Sequence, residues 1–391
     1  MHETVQTDPD LIIETPEEEL HESSSSELSV WQIGGYTLIV KIILLFFGAA
    51  SIQVFNNESI GRLYRWLEIW NRWDAGRHTR VEEIGYSSSG EFLADITIFP
   101  LFPWIVRGAS QIGGDTQINA FIVSGLALVA VCYLLYKLAQ MDESEAVARN
   151  AIWFLLIFPT AYFFHINYTE SVFLAVTLAS FYSARKGDWK LAGMFGVLSS
   201  MGRVNGLLLL PALVVEAFLE YRQTRRWNWN WLAILATPIG FGVYLLVNLI
   251  VTGNAFTFME ITRERFYKAL APPWTGIINS VNRIWWDDNP SSILMISIQE
   301  LVFVAIGLVA IIFCIRMFRW SYTVWMVGNW LLFTSVGFVV SVPRYTLILF
   351  PIYILFAKAA QKHSWYVALT VSSLLFYALF AARFVSGNWA F

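Results

Sequence analysis

The sequence predicts an all-α, polytopic membrane protein, and three observations carry that prediction. Apolar residues make up 57% of the 391 and charged residues only 14%, whereas soluble domains carry about 25% charged residues. Mean hydropathy is +0.54, and several apolar runs reach the ~20 residues that cross a bilayer as a helix. Lipid offers the backbone no hydrogen-bond partner, so a crossing segment pairs its own N–H and C=O groups, as a helix does. The net charge of −3 discriminates little, because the acidic excess is local.

The first 29 residues are a different polymer. Glu17, Glu18, Glu19 and the serines at 23–26 occur there without Lys or Arg. Such a stretch buries too little apolar surface to order itself. A disordered acidic tail is expected over 1–29, followed by one membrane domain over 30–391. The tail lacks the basic start and early apolar core of a secretory signal.

The first span is expected from Ile33 to Phe55, followed by a polar stretch to about Asp95. The segment "ITIFPLFPWIVRG" contains Pro100 and Pro103, which suit a helix lying at the interface better than a straight span. The next span covers Ile118 to Ala139, and later ones start near Ala151, Ser171, Trp229, Ile293, Ser321, Tyr345 and Ser364. The total expected is about nine to eleven membrane helices. Cys132 and Cys314 lie inside apolar runs and read as buried thiols rather than a disulfide.

Orientation follows from Lys and Arg in short connections. The turns with Arg185, Lys186 and Lys190, with Arg222, Arg225 and Arg226, with Arg316 and Arg319, and with Lys358 and Lys362 are basic and read as cytoplasmic. "INYTES", from Ile166 to Ser171, has no basic residue and reads as external. Both ends of the apolar stretch from Leu191 to Phe218 are then cytoplasmic, which a single crossing forbids. The "GRVNG" interruption at Gly202–Gly206 resolves this as a broken-helix hairpin near 191–218 with Arg203 at its apex. Non-helical backbone at that depth is tolerated where it faces protein or a cavity. The tail falls on the cytoplasmic side. The first loop, "NYTE", the loop over 252–290 and "VPRY" at Val342–Tyr345 share the external side.

The first loop holds "NRWDAGRHTRVEEIGY", residues 71–86. Asp74 and His78 are four apart and share a helix face with Arg77 beside them. That set reads either as a base for a bound hydroxyl or as an ordinary amphipathic surface helix. Glu82 and Glu83 read as a solvated face or as partners of Arg80. His165, Asn167, Tyr168 and Glu170 cluster at one turn, either at the mouth of a polar cavity or, for Thr169 and Glu170, as helix-start residues. Arg203 and Arg344 each demand an anionic partner, since a guanidinium near the membrane core costs roughly 2.5–3.5 kcal/mol. "WWDDNP", residues 285–290, reads as a metal-type carboxylate pair or as an interfacial anchor and turn. No phosphate loop, zinc spacing or nucleotide-binding glycine pattern occurs. A soluble nucleotide-sugar donor, a metal, another cofactor and a nucleic-acid partner are therefore not expected.

"RWDAGRHTRVEEIGY" followed by "FPLFPWIVR" resembles the opening loop of the PIG-V-like mannosyltransferases, integral-membrane enzymes of the GT-C glycosyltransferase class. Their pattern is R-W-D-A, a variable stretch, I-A-x-x-G-Y, then F-P-L-x-P. "FPTAYFFHINYTESVFLAVTLASFYSAR", "AGMFGVLSSMGRVNGLLLLPAL", "VPRYTLILFPIYILFA" and the terminal "SGNWAF" resemble further blocks of that family in the same order. Departures are His78 in place of an aromatic residue, Glu82 in place of Ala, and Val204 and Asn205 in place of Pro and Thr.

The resemblance implies a GT-C-like helical bundle with a catalytic first external loop. It implies transfer of mannose from a polyprenyl (dolichyl-type) phosphate to a lipid or glycan hydroxyl, with inversion, on the external face of the membrane. That membrane is the plasma membrane in a bacterium or the endoplasmic reticulum in a eukaryote. Asp74 takes the catalytic role, with Arg77 and His78 supporting it. Arg203 and Arg344 are candidates for the donor phosphate. Trp73, His165, Asn167, Tyr168, Glu170 and Tyr345 are candidates for sugar or acceptor contacts. One carboxylate suffices because a lipid phosphate leaves as a stabilised anion, whereas glycoside hydrolysis generally needs a second carboxyl to protonate the leaving group. The rival readings are transfer of another sugar from a lipid carrier, or a lipid or sugar transporter, for which broken helices and buried arginines are also suited.

Overall fold

The computed structural model describes residues 27–390. The tail expected over 1–29 lies outside the described residues except at its end. There the Leu28 N–H donates to Tyr136 Oη at 2.9 Å and Glu27 pairs with Lys137. Helix α1 (Val30–Phe55) begins with a capping box in which Ser29 and Gln32 satisfy each other's backbone N–H groups. It leaves Leu38, Ile39, Ile42, Ile43 and Phe46 exposed, an apolar face that suits lipid rather than water.

The first loop contains α2 (Asp74–Ile84) and a short 3-10 segment, Glu91–Thr97. Helix α3 (Leu101–Ile112) follows at 107° to that segment. Pro100 and Pro103 lie in the first turn region, where a missing N–H costs little. Asp115 caps α4 (Thr116–Gln140), Ser144 caps α5 (Glu145–Leu156) and Asp188 caps α7 (Trp189–Gly202), each by accepting a backbone N–H. Between them runs α6 (Glu170–Arg185), most of whose side chains are buried.

After α7 the chain breaks at Arg203, passes through Val204–Leu208 and returns as α8 (Leu209–Thr224). Trp189 at the start of α7 donates to Glu220 near the end of α8 at 2.7 Å. The two helices therefore lie antiparallel, as a hairpin with Arg203 at its apex. Gly206 makes this turn possible, because a Cβ there would sit 2.3 Å from the Ser199 backbone. Gly240, in α9 (Pro238–Thr252), lets that helix meet α7 backbone to backbone; a Cβ would lie 1.9 Å from the Val197 carbonyl oxygen.

The remaining elements are α10 (Thr257–Phe266), α11 (Pro273–Trp286), α12 (Gln299–Met317), α13 (Trp320–Thr334), α14 (Pro351–Ala359) and α15 (His363–Val385). Among the described residues, 6 helices are long and apolar enough to cross a membrane, or 8 if each bent pair is one span. This is fewer than the nine to eleven expected. Helices such as α5, α6 and α13, at 12, 16 and 15 residues, are too short to qualify alone and pack into the protein core instead. With its membrane-length helices, the chain is an integral, multi-pass membrane protein.

One end of the bundle gathers the basic turns. Arg185 pairs with Asp142, Lys358 with Glu143 and Arg319 with Glu216. At 1.5 Å per residue, α6, which runs from Glu170 to Arg185, separates that end by about 22 Å from the place where Asp74, Glu170, Arg203 and Arg344 converge.

Candidate active site

Asp74 opens α2, and the turn that presents it is strained. Trp73 has φ 55° and ψ −118°, a region that favours glycine and costs a larger residue about 1–3 kcal/mol. The surroundings over-determine this conformation. Tyr168 Oη donates to the Arg72 carbonyl at 2.9 Å, and Arg72 Nε donates to the Val385 carbonyl at 3.1 Å. The exposed Trp73 ring meets Trp389 edge-on at 5.2 Å. The "YTES" and "GNWAF" segments thus both serve to hold the "RWDA" turn.

The next turn of α2 is clamped by a carboxylate that the sequence did not bring forward. Buried Asp95 accepts from Arg77 Nε at 2.9 Å and from Arg80 Nε at 2.7 Å. Arg77 also donates to the Ala94 carbonyl and to Thr97. This leaves Arg77 Nη1 at 3.4 Å from Asp74 Oδ1, a loose contact, so Arg77 acts on Asp74 mainly as a nearby charge.

The firm partner of Asp74 is Arg344, whose Nη1 donates to Oδ2 at 2.8 Å. Arg344 Nε donates to Glu170 Oε1 at 2.6 Å, and Arg203 Nη1 donates to the same oxygen at 2.6 Å. Residues 270 positions apart in sequence thus form one alternating chain, Asp74–Arg344–Glu170–Arg203. The short turn Val342–Tyr345 that carries Arg344 is fixed from two sides. Glu300 accepts the Ser341 and Val342 N–H groups at 2.8 and 2.7 Å, and Thr160 donates to the Pro343 carbonyl at 2.8 Å. Ser341 adopts φ 67°, so this turn too is held in a disfavoured backbone region.

Burial divides the set. The Asp74 side chain is 36% exposed. Trp73 is exposed, and Arg203, Lys268 and Tyr345 are partly exposed. Glu170 and Arg344 lie behind them, buried. His165, Asn167 and Tyr168, which sequence reasoning offered as sugar or acceptor contacts, are also buried and do not line the accessible wall. Asn167 donates to Thr79 and Glu82 instead. Tyr168 spends its hydroxyl on Arg72 and its ring face under the Arg344 guanidinium, 4.5 Å away. Their side chains were legible as polar, but which side of the turn they face depends on how α6 docks.

The electrostatics of α2 follow from this placement. Burial alone would raise the Asp74 pKa; the charges of Arg344 and Arg77 outweigh it and hold the carboxyl below the usual carboxylate range. Burial lowers the His78 pKa to about 4, so this imidazole is neutral, packed between Phe102 and Tyr168. Glu82 corrects the expectation of a solvated or Arg80-paired face. It is 2% exposed, bonds to Asn167, and burial lifts its pKa to about 8. Arg80 had already been taken by Asp95. Glu83 is exposed, as read.

The "WWDDNP" pair does not act as a unit. Asp287 accepts from Arg283 and from the Asn289 N–H, while Asp288 is exposed, which makes the segment a helix end and turn. Cys132 and Cys314 are buried free thiols.

No family model and no curated protein matches the chain. Among solved structures, it is similar to ArnT from Cupriavidus metallidurans bound to undecaprenyl phosphate. The TM-score is 0.52 at 13% identity, over 90% of this chain and 70% of that one. The oligosaccharyltransferase of Archaeoglobus fulgidus tethered with an acceptor peptide gives a TM-score of 0.44 at 10% identity, over 92% of this chain and 56% of that one. The first likeness is one of fold: this chain shares the polytopic helical architecture of that ArnT structure.

Proposed function

We propose that this chain is an inverting, PIG-V-like mannosyltransferase that moves mannose from a polyprenyl phosphate to a lipid or glycan hydroxyl at the external face of the membrane. The observation that carries the reading is the Asp74–Arg344–Glu170–Arg203 chain, with its one accessible carboxylate at the edge of a cationic group. The ArnT structure with the shared fold is bound to undecaprenyl phosphate, which makes a polyprenyl phosphate the first carrier to test. Gathering of these charges at one end of the bundle favours a surface reaction over transport, which calls for charges at the midplane.

In the proposed reaction the acceptor oxygen attacks the anomeric carbon while its proton passes to the Asp74 carboxylate. The bond from that carbon to the phosphate oxygen breaks, and its electron pair leaves on the phosphate. In-line displacement inverts the centre. The positive charge of Arg203 and Arg344 stabilises the phosphate as it departs. A carboxyl held at low pKa is a weak base, but an arriving phosphate offsets the arginine charges and so raises the Asp74 pKa toward a useful range. His78, neutral and enclosed, packs α2 against Phe102 and Tyr168 without handling the proton. The N-terminus lies on the cytoplasmic side in this scheme.

The test uses the purified protein in nanodiscs with membrane lipid extract as acceptor source. Polyprenyl-phosphate mannose, the glucose counterpart and free nucleotide-mannose are compared for label transfer and release of polyprenyl phosphate. Transfer from the mannosyl lipid alone is expected. Preference for the glucosyl lipid would leave the class and change the sugar; release from neither lipid would refute the reading.

A further inference from the structure

A third cation stands beside this site on a loop that the motifs do not cover. Lys268 lies between α10 and α11, and its Nζ donates to Tyr345 Oη at 2.7 Å. The same ring carries Arg203 on it, with the guanidinium 5.6 Å from the centroid. Arg77 and Arg80 share Asp95, and Arg203 and Arg344 share Glu170. Among the described residues no carboxylate lies within 4.0 Å of Lys268. A partly exposed ammonium held on a hydroxyl, with no carboxylate in direct contact and only buried Glu300 nearby, is a group set up for an anion that arrives from outside.

Its placement is built. Arg265 ties α10 to the first loop through the Glu91 and Gly90 carbonyls at 2.9 and 3.2 Å. Phe266 sits under Arg77, 4.8 Å away. Tyr267 then reverses the chain at φ 54°. Residues 269–271 run antiparallel to 335–337: Gly337 N–H donates to the Ala269 carbonyl at 3.0 Å, and Ala271 N–H to the Ser335 carbonyl at 3.2 Å. The 335–337 segment leads directly into the turn bearing Arg344 and Tyr345. One antiparallel contact thus sets Lys268 and Tyr345 in register.

We infer that Lys268, Tyr345 and Arg203 form the seat for the phosphoryl group of the lipid carrier, and that Arg344 is a positioning residue behind it. This rests on the function proposed above. Lys268 donates into the Tyr345 oxygen, so the phenolic O–H remains available to donate to a phosphate oxygen, and Nζ keeps two further protons. Arg203 spends Nη1 on Glu170 and Thr169, and its Nη2 has no hydrogen bond among the described residues. Three donors then gather at Tyr345, whose chain neighbour Arg344 bonds Asp74. Arg344, 6% exposed and bonded to both Asp74 and Glu170, fixes the base rather than touching the leaving group.

The experiment measures binding of undecaprenyl phosphate and of undecaprenol to the protein in nanodiscs by ligand-induced thermal shift. The unaltered chain is expected to bind the phosphate and not the alcohol. Lys268→Met should weaken phosphate binding by about tenfold or more, Tyr345→Phe by a few-fold, and Lys268→Arg should keep affinity within about threefold. Equal binding by Lys268→Met and the unaltered chain would overturn the seat while leaving the proposed function standing. Equal loss in Lys268→Met and Lys268→Arg would assign the effect to the loop's packing and also overturn it. No phosphate-dependent binding by the unaltered chain would overturn both.

Discussion

Glu170→Gln is the substitution whose consequence is most directly worked from distances. One oxygen, Oε1, receives Arg203 and Arg344 at 2.6 Å each, and the side chain has no exposure. Gln keeps the shape but removes the charge between two guanidinium groups. Removing one partner of a buried ion pair costs about 3–5 kcal/mol, because it leaves charge uncompensated. A shift of about 2–4 °C per kcal/mol holds for chains of 150–250 residues, so a fall of about 5–10 °C in Tm is expected for this longer chain. The assay is intrinsic-fluorescence melting in one detergent, for Glu170→Gln, Arg203→Gln and the double variant. The double variant should be less damaged than the sum of the singles by about 0.5–3 kcal/mol, since removing Arg203 relieves the repulsion left by the first change. Sugar-transfer turnover should fall as well, because Arg344 loses the anchor that aims it at Asp74. An unchanged Tm in Glu170→Gln, or strict additivity in the double variant, would refute the claim that these charges form one chain.

Two further outcomes follow from the same geometry. The Glu82 pKa is raised from 4.5 to about 8, so the folded state favours the protonated carboxyl, and the stability it contributes is lost as pH rises from 4.5 through 8. His78, lowered from 6.5 to about 4, acts in the opposite sense, losing stability as pH falls below 6.5. Between pH 6.5 and 8 only Glu82 of the two changes stability, by roughly 1–2 kcal/mol. Glu82→Gln should remove that slope from Tm measured against pH, and an unaltered slope would place the titration elsewhere. Gly206→Ala puts a Cβ 2.3 Å from the Ser199 backbone, so the Arg203 turn has to open. Turnover should drop at least tenfold with Tm lowered by overpacking of about 1–3 kcal/mol, whereas wild-type activity in this variant would show that the apex tolerates displacement.

Much of this arrangement was legible before the structure. Apolar run lengths gave the helical membrane class, and the sidedness of Arg185–Lys190 against Arg222–Arg226 gave the hairpin around Arg203, which the Trp189–Glu220 bond now closes. The cost of an arginine in an apolar segment marked Arg203 and Arg344 as needing anions, and both meet Glu170. What was not legible depends on docking. Asp95 lies in a stretch with no feature to separate it from a solvated carboxylate, yet it takes both Arg77 and Arg80. Glu82 faces inward only because α2 lies against Asn167. Lys268 reaches Tyr345 through a single antiparallel contact between two loops, for which neither loop has a pattern. Glu300 does carry a signal in the sequence: a lone carboxylate inside "ILMISIQELVFVAIGLV" is expensive in a span and implies a partner, here two backbone N–H groups at the Arg344 turn.

In the proposed reaction Asp74 takes the acceptor proton while a lipid phosphate departs. Turnover of polyprenyl-phosphate mannose by Asp74→Asn, measured as release of polyprenyl phosphate alongside binding of the same donor, tests it most directly. Turnover should fall by about 10²–10⁴-fold with donor binding retained within a few-fold. Turnover within a few-fold of the unaltered protein would contradict the account.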